Sequence, residues 1–455
     1  MSRLVNAFRG SNLSARLARS TSWVIVGYGG TQAIRLASNL ILTRILFPEA
    51  FGIMALVTMV IVGLMMFSDV GIGPAVARSP RGDDPAFLDT AWTVQAVRGA
   101  GLWLLTLLVA LPFAHFYGRP ELALYLPVAG LSLIASGLLP TRVKTARRHL
   151  LMGRVTALDL LSQLIGVGLM VLLALATRSV FALVAGGVLS ALANLFLTWR
   201  FLPGHRDRFR IERPALRELI HFGKWIFLGT AFTFLSMQGD KAVLGKLLPL
   251  EVLGIYNIGF FLASFPMMLG HSVAQDLLIS VYRDRPPRAS PENRRKLRRM
   301  RALISAGICG LLLLMAYIGP PLVSFLYDDR YHAAGAMMVL IACGLLPKAI
   351  GVSYDRAALA AGDSRGAFIY AGLQSVTQIT LLIVGLMSFG LIGGLVSQGL
   401  AVLAVYPLLI RLARRHEAWD AVHDGTAFAI ATAGAAGAVW LHHDAIVALS
   451  SIVVN

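Results

Sequence analysis

Two ten-residue stretches, RILFPEAFGI (44–53) and KLLPLEVLGI (246–255), decide how this chain of 455 residues is built. Both consist of a base, an apolar turn and then E-x-x-G-I, and they lie 202 positions apart. The same offset, without a gap, matches further identical residues: Trp23 with Trp225, Gly27 with Gly229, Thr31 with Thr233, and Leu42 with Leu244. This internal repeat predicts two halves with the same architecture.

The composition excludes a soluble globular enzyme and also a disordered or collagen-like chain. Hydrophobic residues make up 57% of the sequence and charged residues only 14%, whereas soluble proteins have about 25% charged residues. A water-soluble core could not bury so many apolar side chains, because the buried fraction grows too slowly with size. The two cysteines, Cys309 and Cys343, both lie in apolar runs, so we expect no disulfide framework and no metal site.

Long apolar runs predict an all-α integral membrane protein, since about 20 apolar residues cross a bilayer as a helix. Twelve spans are predicted at about 22–43, 51–77, 91–114, 122–140, 155–176, 179–199, 219–245, 252–280, 302–327, 333–354, 367–388 and 391–410. A weaker run near 426–441 predicts an additional C-terminal helix. The predicted organisation is an amphipathic lead-in (1–21), a six-helix bundle (22–202), a cytoplasmic linker (203–218), a second six-helix bundle (219–413) and a tail (414–455).

The net charge of +18 is explained by topology rather than by a nucleic-acid partner. With the N-terminus in the cytoplasm, 31 of the 41 Lys and Arg residues fall on the predicted inside, 5 outside and 5 within spans. This asymmetry follows the positive-inside rule. The basic runs at 142–148 and 283–301 are then anchors beside anionic lipid. An even number of spans per half makes the repeat parallel, and transporters of this design bind substrate between the halves.

Three segments carry a resemblance to a known family: SNLILTRILFPEAFGIMAL (38–56), FSDVGIGPAVARSPR (67–81) and GDKAVLGKLLPLEVLGIYNIG (239–259). They resemble the polysaccharide-transporter flippases of the multidrug/oligosaccharidyl-lipid/polysaccharide (MOP) exporter superfamily, over about residues 20–413. The resemblance departs at Gly73-Pro74, which replaces a commoner polar stretch, and in the tail after 413.

This resemblance implies two six-helix bundles that form a V around a central cavity. It also implies a transporter and no enzyme: the protein would flip an undecaprenyl-diphosphate-linked oligosaccharide to the periplasmic leaflet of the bacterial inner membrane. The product would serve exopolysaccharide, O-antigen or lipopolysaccharide synthesis, with a polymerase and glycosyltransferases as partners. The alternative is a cation-coupled drug or metabolite exporter of the same superfamily.

Polar residues inside the spans are the candidates for substrate binding, because a charge in the membrane is costly without a function or a partner. The first span has a polar face that includes Gln32, Arg35 and Asn39, spaced by three and four residues. The guanidinium of Arg35 could bind phosphate oxygens bidentately. A structural pair with an Asp of another helix and snorkelling to the surface are the alternatives.

Further binding candidates lie in both halves. The alternatives to substrate binding are that Arg98 extends to the membrane surface, that Lys348 pairs with a residue of another helix, and that the glutamines form hydrogen bonds to neighbouring helices. The full set of additional candidates is Arg98, Lys241, Lys348, Gln374 and Gln378.

Three intramembrane acids, Asp240, Asp69 and Asp276, are the candidates for proton or sodium coupling. Asp240 lies at the repeat position of Ser38, while Met237 matches Arg35, so the repeat-related faces carry an acid in one half and a base in the other. A pair of Asp240 with Lys241 or Lys246 is the alternative. No cofactor is expected, and neither a metal cluster nor a catalytic constellation is found in the sequence.

Overall fold

The computed structural model describes residues 13–69, 71–223, 226–284 and 290–454. Every regular element in this part of the chain is a helix. The chain divides into two compact units, one up to Ala231 and the other from Phe232.

The first unit contains nine helices within the described residues. Long helices alternate with the short ones that follow α2, α5 and α8. In chain order they are α1 (Leu13–Ile45), α2 (Pro48–Phe67), α3 (Ile72–Arg78), α4 (Pro85–Tyr117), α5 (Leu122–Gly137), α6 (Arg142–Arg148), α7 (Met152–Thr177), α8 (Phe181–Phe201) and α9 (Arg213–Gly223).

The boundary between the units lies within the next helix, and the second unit includes helices of the C-terminal tail. Its described helices are α10 (Ile226–Leu247), α11 (Leu250–Asp284), α12 (Pro291–Leu326), α13 (His332–Ile350), α14 (Tyr354–Ala360), α15 (Ser364–Arg415), α16 (Ala421–Leu441) and α17 (His443–Val447). The weak run near 426–441 therefore is a helix, α16.

The repeated stretch that opens the sequence marks the same kind of corner in each unit. In the first unit Pro48 begins α2, where its missing N–H costs nothing, and Glu49 follows in the first turn, where a negative charge is favourable. In the second unit Glu251 lies in the first turn of α11. Both corners bury their leucine, Leu46 and Leu248.

A sharp turn interrupts α15, the longest helix. Phe389 and Gly390 leave the helical conformation, and Gly390 has φ 62 and ψ −155, a combination essentially restricted to glycine. The helical segments before and after this turn lie very close together, since a Cβ added at Gly385 would lie 2.5 Å from the carbonyl oxygen of Gly393. The helix is therefore two arms folded against each other, which correspond to the last two predicted spans.

Eight helices of the described residues are long and apolar enough to cross a membrane, or nine if α5 and α6, bent by 59°, count as one broken span. The chain is thus an all-helical, multi-span membrane protein. The polar-faced helices α1 and α10 are not among the eight, and the number of twelve spans remains a prediction.

Candidate functional site

A cavity of about 620 Å³ lies in the first unit, between α1, α6, α7 and α8. We call it the α1/α7/α8 pocket. Its volume falls within the range of about 300–1,000 Å³ typical of small-molecule sites. Ten of its lining side chains are polar: Tyr28, Thr31, Ser136, Arg147, Thr156, Asp159, Ser162, Gln163, Ser190 and Asn194.

Small residues bring the three helices close enough to form this pocket. A Cβ added to Gly27 of α1 would lie 2.6 Å from the Thr156 methyl group of α7. A Cβ added to Gly166 of α7 would lie 2.3 Å from the Cβ of Ser190 in α8. Real Cβ atoms do not approach so closely, so larger residues at either glycine would push the helices apart and change the pocket.

Asp159 is the centre of the polar network in the pocket. The amide of Asn194 donates to its Oδ1 at 2.8 Å and to the hydroxyl of Ser162 at 3.1 Å. The carboxylate of Asp159 is half-buried, and an ionised carboxylate offers about four acceptor sites. The Asn194 contact thus orients the carboxylate and leaves capacity for donors from a ligand.

The opposite wall of the pocket comes from α1. Gln163 of α7 donates to the hydroxyl of Thr31 at 3.2 Å, and the half-buried ring of Tyr28 adds an aromatic surface. Thr31 belongs to the polar face that the sequence indicates. The α7 and α8 side chains were missed, although Asp159, Ser162 and Gln163 show the same three- and four-residue spacing that identified α1.

Arg35 lies on α1 beyond the pocket and is exposed. Its guanidinium approaches Oε1 of the buried Gln32 at 3.5 Å, and Gln32 in turn donates to the Tyr28 hydroxyl at 3.2 Å. This chain of contacts links Arg35 to a residue that lines the pocket. Asn39 is half-buried, and its backbone carbonyl accepts from Thr43 at 2.8 Å.

Arg98 is held by the end of α2. It donates to the Ser68 hydroxyl at 2.9 Å and to the Met65 carbonyl at 2.7 Å, and it lies 3.9 Å from the carboxylate of Asp69. Asp69 also accepts from the amide of Gly71 at 2.9 Å. Two residues that the sequence assigned to different roles therefore contact each other.

In the second unit, the candidate ion site Asp240 is almost completely buried, with 4% exposure. The hydroxyl of Tyr256 donates to its Oδ2 at 2.6 Å, and Gln398 donates to the Tyr256 oxygen at 3.1 Å. The second oxygen, Oδ1, is buried and has no hydrogen-bond partner among the described residues. Lys241 turns instead to Gln238, at 3.0 Å, so the predicted alternative of an Asp240–Lys241 pair does not form.

The other candidates of the second unit are not gathered into one cluster. Lys348 is exposed on α13, Gln378 is half-buried and Gln374 is buried. Beside Gln374, the hydroxyls of Ser236 and Ser375 lie 2.6 Å apart, which supports the predicted helix-to-helix bonding for this part of α15. The side chain of Asp276 lies outside the described residues.

One geometric cluster of metal-type ligands occurs in the described chain, formed by Asp89, His205 and Asp207. All three groups have protein partners: His205 approaches Asp89 at 2.7 Å, and the amides of Arg208 and Thr141 donate to Asp89 and Asp207 at 3.0 Å. Burial raises the pKa of the Asp207 carboxyl. We interpret the cluster as the anchor of the segment between α8 and α9 on α4.

The comparisons with known proteins agree with this architecture. The family model described as "Polysaccharide biosynthesis protein" matches residues 41–336. The chain belongs to this family. A curated relative, the succinoglycan biosynthesis transport protein ExoT of Rhizobium meliloti (strain 1021), is 26% identical over 278 residues, which are 58% of this chain and 53% of the relative. The chain thus spans about half the length of that relative.

Solved structures show the fold of this polysaccharide biosynthesis protein. The lipid II flippase MurJ, in an inward closed conformation, has a TM-score of 0.66 at 11% identity, covering 93% of this chain and 100% of that one. An inward-facing multidrug resistance MATE family transporter of the MOP superfamily has a TM-score of 0.61 at 15% identity, covering 85% and 95%. These likenesses show that the chain has the fold of a MATE family transporter of the MOP superfamily and of the lipid II flippase MurJ.

Proposed function

We propose that this protein flips an undecaprenyl-diphosphate-linked oligosaccharide from the cytoplasmic to the periplasmic leaflet of the bacterial inner membrane. The observation that carries the proposal is the α1/α7/α8 pocket, a cavity rich in hydrogen-bonding groups within a membrane-spanning unit. Family membership supplies the polysaccharide context, and the pocket supplies the chemistry that a sugar needs.

The pocket suits sugar hydroxyls, which both donate and accept hydrogen bonds. Asp159 accepts, the amides of Gln163 and Asn194 offer donors and acceptors, and the serine and threonine hydroxyls act as either. The ring of Tyr28 offers an apolar face for a sugar ring. Arg147 adds a cation on the α6 side, where a phosphate could be bound.

The position of the pocket suits loading from the cytoplasm. It is lined by the first half of α7 and by the middle of α8, and the beginning of α7 faces the cytoplasm in the predicted topology. Arg35, with Gln32 and Asn39 on its helix, is proposed to bind the diphosphate. Arg98, Lys241, Lys348, Gln374 and Gln378 remain secondary candidates for the saccharide or phosphate, and contacts within the protein compete with this role at Arg98 and Lys241.

The transport cycle is proposed to be alternating access by two repeat-related bundles that form a V around a central cavity. Burial within each unit supports the repeat: Ser38 and its repeat partner Asp240 are both buried, while Arg35 and its partner Met237 are both exposed. At these two positions the offset pairs residues of the same exposure.

Asp240 is proposed to couple transport to a proton or sodium gradient, because a deeply buried carboxylate with one unpaired oxygen has room for a cation or a proton. Asp69 is a weaker candidate, since Arg98 and the Gly71 amide already satisfy it. Asp276 stays a candidate on sequence grounds.

A reconstitution experiment tests the function directly. Vesicles containing the purified protein and a fluorescent lipid-linked oligosaccharide are treated with a membrane-impermeant quencher, and the protected fraction is followed with time. We expect flipping of the glycosylated lipid and little flipping of the same lipid diphosphate without sugar. Equal rates for both, or transport of a cationic dye instead, would favour the drug or metabolite exporter.

The predicted topology, with the N-terminus in the cytoplasm, is tested by cysteine labelling in intact cells with the native cysteines replaced. An impermeant reagent should label position 49 and leave position 290 unlabelled. The reverse pattern would place the opening of the pocket on the wrong side for loading.

A further inference from the structure

Two cavities follow each other along the contact between α12 and α16 in the second unit. The first, of about 360 Å³, lies at the beginnings of both helices and is lined by four arginines with Glu417, Trp419 and Asp420; we call it the basic cavity. The second, of about 250 Å³, continues along the same two helices; we call it the apolar cavity. Together they form the α12/α16 groove.

The basic cavity has an excess of positive charge that is only partly neutralised. Arg294 pairs with Glu417, and the Nε of Arg298 lies 2.8 Å from Asp420. Arg301 is buried and donates to Ser353 at 2.9 Å and to Tyr282 at 2.7 Å.

Arg295 differs from these three arginines. It is exposed and has no acidic partner in the described part of the chain. The cavity therefore presents one cation that is available to an anion.

A buried carboxylate, Asp424, holds the cavity-lining Trp419 in place. It accepts from the hydroxyls of Tyr354 at 2.6 Å and Tyr406 at 3.0 Å, from the Trp419 indole at 3.1 Å and from His423 at 3.0 Å. Four donors on one buried carboxylate hold the start of α16 in place. The groove is thus a built feature of the second unit.

The apolar cavity is lined mainly by small and apolar side chains, among them Ala302, Ala306, Gly310, Leu313, Ala427 and Ala431. A Cβ added at Gly310 would meet no atom within 4 Å, so the space beside it is open. Its polar lining groups are bonded within the protein: Ser305 and His423 bind each other at 2.7 Å, and the Thr426 hydroxyl donates to the Val422 carbonyl at 2.8 Å. This wall suits a hydrocarbon chain.

We propose that the α12/α16 groove binds one anionic phospholipid, with its phosphate beside Arg295 and one acyl chain in the apolar cavity. Charge decides between this occupant and the diphosphate of a transport substrate. Arg294 and Arg298 pair with Glu417 and Asp420, and the buried Arg301 is held by Ser353 and Tyr282, so Arg295 is the one positive charge in excess that a ligand can reach. A phosphodiester, with one negative charge, matches this excess, whereas a diphosphate exceeds it.

The predicted topology places Arg295 in the cytoplasmic loop region, where anionic headgroups attract basic segments. The site is independent of the α1/α7/α8 pocket, and its test does not require transport. Lipid binding can therefore fail while flipping stands, and the reverse also holds.

The test compares purified full-length protein in nanodiscs of phosphatidylcholine with and without phosphatidylglycerol. Retained lipid is measured by native mass spectrometry after detergent extraction, and Tm is measured in each disc. We expect phosphatidylglycerol to be retained and to raise Tm. Arg295→Ala should weaken retention roughly tenfold, the effect of losing one charge-assisted hydrogen bond, and Gly310→Leu should fill the apolar cavity and do the same.

Two matched variants serve as controls. Arg299→Ala removes an exposed arginine of α12 outside the cavity lining, and Gly307→Leu adds the same side chain at a second glycine with open space. Both should retain phosphatidylglycerol like the unaltered protein.

Three results would overturn the proposal: equal retention of phosphatidylcholine, equal losses in Arg299→Ala and Arg295→Ala, or retention that survives Gly310→Leu. Displacement of the bound lipid by an equimolar polyprenyl diphosphate would also overturn it and assign the groove to the substrate lipid.

Discussion

The two units treat the polar faces of equivalent helices in opposite ways. In the first unit, Thr31 of α1 and Asp159 of α7 border an open pocket of about 620 Å³. In the second unit, polar groups bind each other: Ser236 of α10 contacts Ser375 of α15 at 2.6 Å, and Asp240 is covered by Tyr256. Under the proposed function, the repeat would combine an open pocket for a large ligand in one copy with a compact site for an ion in the other.

Removal of the Asp159 carboxylate from the pocket should lower the rate of flipping more than any other substitution proposed below. Asp159→Ala removes the acceptor that Asn194 orients, and we expect flipping of the glycosylated lipid to fall by about 10- to 100-fold, as for a lost charge-assisted hydrogen bond. The vesicle quenching assay measures this fall, with Glu121→Ala, an exposed carboxylate of the same unit, as the control. A normal rate in Asp159→Ala would remove the pocket from the transport path.

Substitution of Asp240 should change how flipping depends on ion gradients, whereas substitutions in the α1/α7/α8 pocket should not. Asp240→Asn keeps an acceptor for the Tyr256 hydroxyl but cannot release a proton or carry a charge. We expect flipping without a gradient to continue, while the acceleration by a proton or sodium gradient disappears. If the acceleration persists, Asp240 is structural and the asymmetry between the units has another origin.

Substitution of Arg35, whose repeat partner is Met237, should have an intermediate effect on the rate of flipping. Arg35→Ala should lower flipping about tenfold at a normal protein level, so lipid-linked precursor accumulates in the cytoplasmic leaflet. Arg35→Lys keeps the charge without the planar fork and should be partly active. Loss of the protein itself in Arg35→Ala, rescued by a change at an acid, would instead show a structural pair.

Arg98 should matter for packing rather than for the substrate. Its distance of 3.9 Å from the half-exposed Asp69 predicts a coupling energy of at most about 1 kcal/mol in a double-mutant cycle on thermal unfolding with Arg98→Gln and Asp69→Asn. A large loss of flipping in Arg98→Gln at unchanged stability would return Arg98 to the substrate site.

The smallest effect on flipping is expected at the contact between Ser236 and Ser375. Ser236→Ala removes a neutral hydroxyl contact with Ser375, which should cost about 1 kcal/mol in stability and leave flipping unchanged. Thermal unfolding and the vesicle assay measure the two quantities. A clear change in substrate preference would mean that this contact opens during transport.

The sequence predicted the helices well, because apolar runs and the corners around Glu49 and Glu251 are local signals. It predicted the pocket only in part. Thr31 belonged to a visible polar face, whereas Asp159 and Asn194 were not predicted as site residues. Their meeting depends on how closely α7 approaches α8 at Gly166, which is a tertiary property.

The same limit explains the separate roles given to Arg98 and Asp69. Their contact joins α4 to the end of α2, and no spacing along the chain reveals it. Likewise, the sequence offered Lys241 or Lys246 as alternative partners of Asp240, whereas the hydroxyl that donates to Asp240 belongs to Tyr256, sixteen residues away on α11. Spacing along the chain indicates which polar residues share a helix face, and only packing decides which of them meet.

The sharp turn at Gly390 has a consequence for how the protein is made. The two arms of α15 touch from Gly385 to Gly393, so they form the most local contact that two membrane helices can make, and its loop-closure entropy is small. During synthesis the first arm has no hydrophilic loop on which to pause before the second arm follows. The pair should therefore enter the bilayer as a single helical hairpin, in one insertion event.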